Sequence, residues 1–367
     1  MATPLEVLGN ANIPCYLHSF SALDRYFRIR EPGPIHVLAR SSLVDVARLF
    51  DELSYAGSAT ADAALTDEGT RYLLKCVDED DRDPRGSFTV LDLLYDAGRD
   101  VFLDPRDVYP DLRKSGLTKG PTPGPEYVAS VMDAALIVSR YHYETADGLD
   151  VEEKHFPPLS PAVQRELLSS ILCSRRPEKG LRVLEASGFL QAYWPELAVL
   201  SQVFHTKDYH PEGDVWEHTL QTFAHRKTVE LPLSLGLLFH DAGKAVAPAS
   251  GEKRFDAHAE HGAHIVTRFL RRLEYPEAVT ENVCFVVRYH MMPAALRRLP
   301  DFRTAPLMRS PYFPNLLELY YADLSSSFRS PEGYYDACRL YRHFLKKTSP
   351  TRPAPEHAPN RRRSHFR

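Results

Sequence analysis

Along the first 115 residues short apolar runs alternate with polar breaks, and no single period dominates. IHVLA at Ile35–Ala39 predicts a strand. SSLVDVARLFDEL, Ser41–Leu53, opens on a serine cap and predicts a helix. YLLKCV (Tyr72–Val77), FTVLDLLYD (Phe88–Asp96) and VFLDPRDVYPDLR (Val101–Arg113) follow, the first two separated by DEDDRDPRG, which reads as solvated surface. This is an α+β segment. GLTKGPTPGPEY at Gly116–Tyr127 is dense in glycine and proline and reads as a boundary. Beyond it the spacing predicts helices over Val128–Glu144, Ser160–Cys173 and Glu178–Trp194, broken at proline, serine and glycine. The end, KKTSPTRPAPEHAPNRRRSHFR, is basic, proline-rich and without apolar periodicity, which predicts a disordered tail. The expected organisation is an α+β domain over 1–120, an all-α neck over 121–204, a second all-α domain over 205–346 and a tail over 347–367.

Composition narrows the class more than the function. A hydrophobic share of 43% and a charged share of 26% suit a globular chain, and 367 residues allow several cores. The net charge of −4 gives no global sign of a polyanion partner, so contact with RNA would need a local basic patch. The start lacks a basic segment followed by a long apolar run, so no secretory signal is expected. No run reaches the roughly 20 apolar residues that span a bilayer. Five scattered cysteines without a CxxC pair indicate neither a zinc knuckle nor a disulfide framework. Reduced thiols in a cytoplasmic protein are the expectation.

Candidate chemistry gathers late in the chain. LGLLFHDAGKAV, Leu235–Val246, ends an apolar helical run in His240-Asp241, with Gly243 to turn the backbone and Lys244 to reach an anionic ligand. Alone, this string reads equally as a helix end with a polar cap. It has companions. DVWEHTL supplies His218, RFDAHAEHGA supplies His258, VVRYH supplies His290 and LYYADLSS supplies Asp323, each expected on a helix. Trp216, Leu220 and Phe223 form a core face beside His218, and Leu316 and Tyr320 put Asp323 on an apolar stripe. A buried carboxylate needs a partner, either a metal or an arginine such as Arg288. Four imidazoles and two carboxylates suit divalent metals. Two ions sharing Asp241 could hold a hydroxide that attacks phosphorus, with Lys244 neutralising a phosphoryl oxygen. His261 is a candidate donor or a surface residue, His205 and His210 lie in a loop near the entrance, and His142 and His155 read as structural or surface residues.

The order His…His-Asp…His…His…Asp resembles the HD-domain metal-dependent phosphohydrolases. PELAVLSQVFHTKDYHPEGDVWEHTLQT (Pro195–Thr222), then HDAGK, then FDAHAEHGA, resembles the HD-bearing bacterial tRNA nucleotidyltransferases and their poly(A) polymerase relatives, over roughly Leu181–Ser326. The resemblance implies His218, His240, Asp241 and Asp323 as a core ligand set, with His258 and His290 completing a second position. FTVLDLLYD…DVFLDPRDVYPDLR is similar to the late part of that family's catalytic head. The earlier parts depart from it. CYLHSFSALDRYF (Cys15–Phe27) stands where the family has a glycine pair and an arginine-aspartate, and IHVLA stands where it has two alternating metal-binding aspartates. Neither His36 nor Leu38 substitutes for a magnesium-binding carboxylate, and Asp24 alone survives from the first motif.

The resemblance therefore implies a degenerate nucleotidyltransferase-like α+β head, an all-α neck and an all-α HD domain. The activity expected first is a metal-dependent phosphohydrolase acting on a nucleotide, cyclic nucleotide or RNA-end phosphoester. Asp241 and Lys244 are its catalytic residues, and two divalent ions (Mn, Fe, Ni, Co or Mg) are its cofactors. A non-catalytic RNA- or protein-binding scaffold comes second. CCA addition or polyadenylation comes last.

Overall fold

A computed structural model describes residues 2–30, 33–56, 61–78, 85–117, 120–145, 154–204, 213–247, 257–327 and 330–348. Helix α1 (Pro4–Asn10) opens with a reciprocal cap, in which Thr3 accepts from the Glu6 amide and Glu6 accepts from the Thr3 amide. Strand β1 (Cys15–His18), helix α2 (Ser19–Phe27), strand β2 (Ile35–Ala39) and helix α3 (Leu43–Ala47) follow. Then come β3 (Ser54–Tyr55), β4 (Ala63–Asp67), β5 (Thr70–Cys76), β6 (Leu94–Asp96), β7 (Val101–Leu103) and helix α4 (Tyr109–Leu112).

The strands form one seven-stranded sheet in the order β3-β4-β5-β2-β1-β6-β7. β2 runs parallel to β5, from Ile35 opposite Tyr72 to Ala39 opposite Cys76, and the other pairings are antiparallel. Alternation along β2 sends its side chains to two layers. Val37 and Ala39 pack with Leu8, Val46, Leu65 and Leu74. His36 and Leu38 take the other face, where Leu38 packs with Val77 and Leu94. The helix expected over Ser41–Leu53 is only α3, capped by Ser42. Leu49, Phe50 and Leu53 instead pack from a turn against the Val37 cluster, so tertiary packing overrides helix propensity there.

The remainder is helical. α5 (Tyr127–Arg140), α6 (Pro161–Leu172), α7 (Pro177–Ala186), α8 (Phe189–Tyr193) and α9 (Pro195–Ala198) form the first part. Pro161, Pro177 and Pro195 open their helices, where a missing N–H costs nothing. The run expected over Glu178–Trp194 is divided at Ser187-Gly188 into α7 and α8. α10 (Val215–Thr222), α11 (Leu231–Phe239), α12 (His258–Arg272), α13 (Glu277–Tyr289), α14 (Asp301–Arg309), α15 (Phe313–Ser325) and α16 (Glu332–Thr348) complete the chain. α11 is apolar around its circumference and is the buried centre of this part, with Leu233, Leu235, Leu237, Leu238 and Phe239 all enclosed.

One core runs from Phe20 and Leu23 in the sheet domain through Leu168 and Leu184 to Phe239 and Phe269. Two polar joints reinforce it. Arg140 at the end of α5 pairs with Asp24 of α2 at 2.7 Å, and the Tyr141 hydroxyl donates to the same carboxylate at 2.8 Å. Arg165 of α6 donates to the carbonyls of Leu273 and Glu274, which follow α12. α16 extends to Thr348, two residues beyond the expected domain end. His205, His210, residues 79–84 of the acidic loop and residues 349–367 of the tail lie outside the described residues. Among the described residues no helix is long and apolar enough to cross a membrane.

Candidate metal centre

His218 is held within α10, whose first turn is capped by Asp214 accepting from the Glu217 amide at 2.8 Å. Trp216 and Leu220 fix the helix in the core and leave His218 fully buried. Asp323 stands on α15 and His258 is the first residue of α12. The expectation that every candidate lies on a helix needs correction for three of them. His240 and His290 cap the ends of α11 and α13, and Asp241 lies just beyond α11.

The helix ends matter because their last carbonyls lack intrahelical partners. His240 Nδ1 donates to the carbonyl of Leu237 at 2.8 Å, and His290 Nδ1 donates to the carbonyl of Val287 at 2.8 Å. A carbonyl can only accept, so Nδ1 of each ring carries a proton and is taken up by the helix end. Each Nε2 then points inward, the orientation of a metal-ligating imidazole.

The six side chains form two groups of three, with the ligand atoms of each group within 4.8 Å of one another. In the first, Asp323 Oδ1 lies 3.1 Å from His218 Nε2 and 3.9 Å from His240 Nε2. In the second, Asp241 Oδ1 lies 3.6 Å from His258 Nε2 and 3.8 Å from His290 Nε2, and the two imidazoles approach to 3.0 Å. Asp241 turns its other oxygen, Oδ2, towards His240 at 3.4 Å and His218 at 3.9 Å. One carboxylate thus faces both groups. Lys244 lies on that same oxygen at 2.6 Å, so its ammonium holds Asp241.

Burial works to raise the pKa of Asp241, but Lys244 and then His240 outweigh it and hold the carboxyl well below the usual range. Asp323 is also lowered, against its burial, chiefly by the hydrogen bond from His218. Burial pushes His290 down to about 4, so it is neutral at pH 7. Nε2 of His240 is buried and has no hydrogen-bond partner among the described residues. Beyond the Lys244 ammonium, these carboxylates and inward-facing imidazoles share a largely buried pocket in which a further cation would lower their repulsion. This donor set fits divalent first-row ions. The partner of Asp323 is an imidazole pair rather than the arginine alternative, Arg288. His261 is exposed and belongs to neither group, His155 is exposed, and His142 stacks on Tyr143.

A second concave place lies between the sheet and helices α5 and α6. It encloses about 100 Å³ and is lined by His36, Phe20, Leu73, Asp133, Leu136 and Glu166, among others. Burial pushes His36 down to about 3 and the neighbouring His18 to about 4, so both rings are neutral. Burial pushes Asp133 up to about 6. Glu166 pairs with Arg71. The sequence reading passed over Asp133 and Glu166. The available signal was a carboxylate set into the otherwise apolar run VASVMDAALIV.

An HD domain model matches residues 215–323. The CC-adding tRNA nucleotidyltransferase of Thermus thermophilus is 36% identical over 211 residues, 54% of this chain and 47% of that protein. The multifunctional CCA protein of Alkalilimnicola ehrlichii is 36% identical over 144 residues, 39% of this chain and 34% of that protein. The chain thus spans less than half the length of either relative. In fold it is similar to the Bacillus stearothermophilus CCA-adding enzyme solved with CTP. The TM-score is 0.52 at 16% identity, covering 95% of this chain and 83% of that one. This likeness shows a shared fold, a sheet domain followed by helical domains.

These relatives overturn the expected ranking, which placed a phosphohydrolase first, a scaffold second and CCA addition last. Descriptions of the chain as a hydrolase or phosphodiesterase fall with it. The physical reason is that a ligand cluster fixes where ions can sit, and leaves open which bond is made or broken. The chain carries an HD domain and is related to the CCA-adding tRNA nucleotidyltransferases.

Proposed function

We propose that this chain is a cytoplasmic tRNA nucleotidyltransferase, adding nucleotides from CTP or ATP to the 3′ end of tRNA. The observation that carries this reading is the 36% identity over 211 residues to a CC-adding tRNA nucleotidyltransferase. In this reading the head spans 1–120, the neck 121–204 and the HD domain 205–346, with 347–367 as a tail. The cavity between the sheet and α5 and α6, at about 100 Å³, takes the base of the nucleotide rather than the whole of it. Strand β2 contributes His36 there, and the carboxylates that line the cavity are Asp133 and Glu166. Asp133, on α5 of the neck, is therefore the residue through which this cavity is tested.

The HD domain holds divalent ions in the same reading. His218, His240 and Asp323 take one ion, His258 and His290 take another, and Asp241 faces both. Lys244 keeps the Asp241 carboxylate in place. Such ions supply Lewis acidity when bound.

A tRNA transcript lacking its terminal CCA, incubated with radiolabelled CTP or ATP and magnesium, tests the transfer. Labelled tRNA is expected with the intact chain, and its loss with Asp133→Ala. Unlabelled tRNA, under conditions in which the Thermus enzyme labels the same transcript, would overturn the proposal.

A further inference from the structure

The two ligand groups are held by different parts of the fold. His218, His240 and Asp323 stand on α10, the end of α11 and α15, so the first group takes no ligand from α12 or α13. His258 stands on the first turn of α12 and His290 at the end of α13. α12 lies directly on the short turn Ala242–Ala245 that follows Asp241, and two glycines meet at the crossing.

A Cβ at Gly243 would lie 1.9 Å from the carbonyl oxygen of His258 and 2.5 Å from the amide nitrogen of Gly262. Neither neighbour is a flexible side chain, so any residue but glycine must move α12 itself. A Cβ at Gly262 would meet Val287 Cγ1 at 3.1 Å and the Gly243 nitrogen at 3.4 Å. Val287 is the residue whose carbonyl orients His290. The HDAGK turn and α12 thus meet backbone to backbone at the two glycines, and the Val287 side chain of α13 closes the far side of Gly262; each of the three segments carries or orients one ligand of the Asp241, His258 and His290 group.

We infer that Gly243 and Gly262 are positioning residues for that second group. Their close approach sets the spacing among Asp241, His258 and His290, and so decides whether a second ion is held. This rests on the reading that the HD groups bind divalent ions. A Cβ at Gly262 shifts its neighbours by a few tenths of an ångström and loosens the second position. A Cβ at Gly243 displaces the first turn of α12 and removes His258 from the set. The first group keeps its three ligands in both variants.

The test uses the full chain loaded with manganese and desalted, with the ions counted by elemental analysis and their pairing read by electron paramagnetic resonance. The unmodified chain is expected to hold two ions with a spin-coupled spectrum. Gly262→Ala should bind the second ion about ten-fold more weakly, and Gly243→Ala should hold one ion with an uncoupled spectrum. Adding Val287→Ala to Gly262→Ala removes the Cγ1 in the way and should restore the second ion. Should Gly243→Ala fail to fold, the Gly262→Ala pair of variants decides the matter. Unchanged second-ion affinity in folded Gly262→Ala, or equal loss of both ions, would overturn the positioning role. An unmodified chain that binds no manganese would overturn the metal reading itself, and with it this inference.

Discussion

The sheet domain and the HD domain treat buried polar groups in opposite ways. In the HD domain four imidazoles and two carboxylates point at one another, and Nε2 of His240 is left without a hydrogen-bond partner among the described residues. Between the sheet and the neck helices packed on it, two of the carboxylates are matched by cations within the fold. Asp24 pairs with Arg140 and Glu166 pairs with Arg71. Matched pairs join surfaces, whereas in the HD domain Lys244 answers Asp241 alone and the converging imidazoles and carboxylates form a donor set that a divalent ion would fit. The difference teaches where an added ion would find ligands and where charge is already neutralised.

The sharpest way to break the comparison is to remove the carboxylate that faces both ligand groups. Asp241→Ala leaves the imidazoles without the anion that draws a cation among them. It should weaken metal binding by well over the roughly 10–100-fold that loss of an outer-shell partner causes. Metal content after desalting is the measurement. Retention of the unmodified chain's ion count would mean that Asp241 only caps α11 and that the two groups are unrelated.

The next effect falls on the sheet domain. Asp24→Ala leaves the nearly enclosed Arg140 guanidinium without its carboxylate and should cost about 3 kcal/mol, as for a broken buried pair. The double replacement Asp24→Leu with Arg140→Met removes both charges and should cost less than the single change. Equal losses would show that Asp24 acts through packing, or through the Tyr141 hydroxyl, rather than through charge.

Much of the HD site was legible in the sequence because its ligands lie in short strings whose neighbours are core residues. Trp216 and Leu220 announce the face of α10, and the apolar run before His240 announces α11. β2 was legible for the same local reason. Other features depend on residues far apart in the chain. The Asp24–Arg140 pair joins positions 116 apart, and the Gly243–Gly262 approach exists only because α12 folds back over the HDAGK turn. The helix expected over Ser41–Leu53 failed where Leu49 and Phe50 found better burial outside it. The break at Gly188 is a backbone matter, with φ of +88° that favours glycine. The choice of reaction was least legible, because ion ligands announce chemistry in general and the fate of a phosphoester only through the walls around it.

Asp133 offers the finest discrimination between the two regions, through pH. Burial raises its pKa from 3.8 to about 6, so the folded chain holds this proton more tightly than the unfolded chain does. The stability it contributes is complete below about pH 4 and is lost as pH rises through about 6, a change on the order of 2–3 kcal/mol. Asp133→Asn cannot ionise. It should therefore match the unmodified chain near pH 4 and exceed it in denaturant resistance near pH 7.5, while losing nucleotide addition. Asp241, whose pKa is lowered, has the opposite sign, because its contribution is present at neutral pH and lost as pH falls through its depressed value. Urea titrations of the two proteins at both pH values make the check. If Asp133→Asn is no more stable near pH 7.5, the carboxylate is compensated in the cavity by a cationic neighbour, and the sheet domain matches its buried charges there as it does at Asp24.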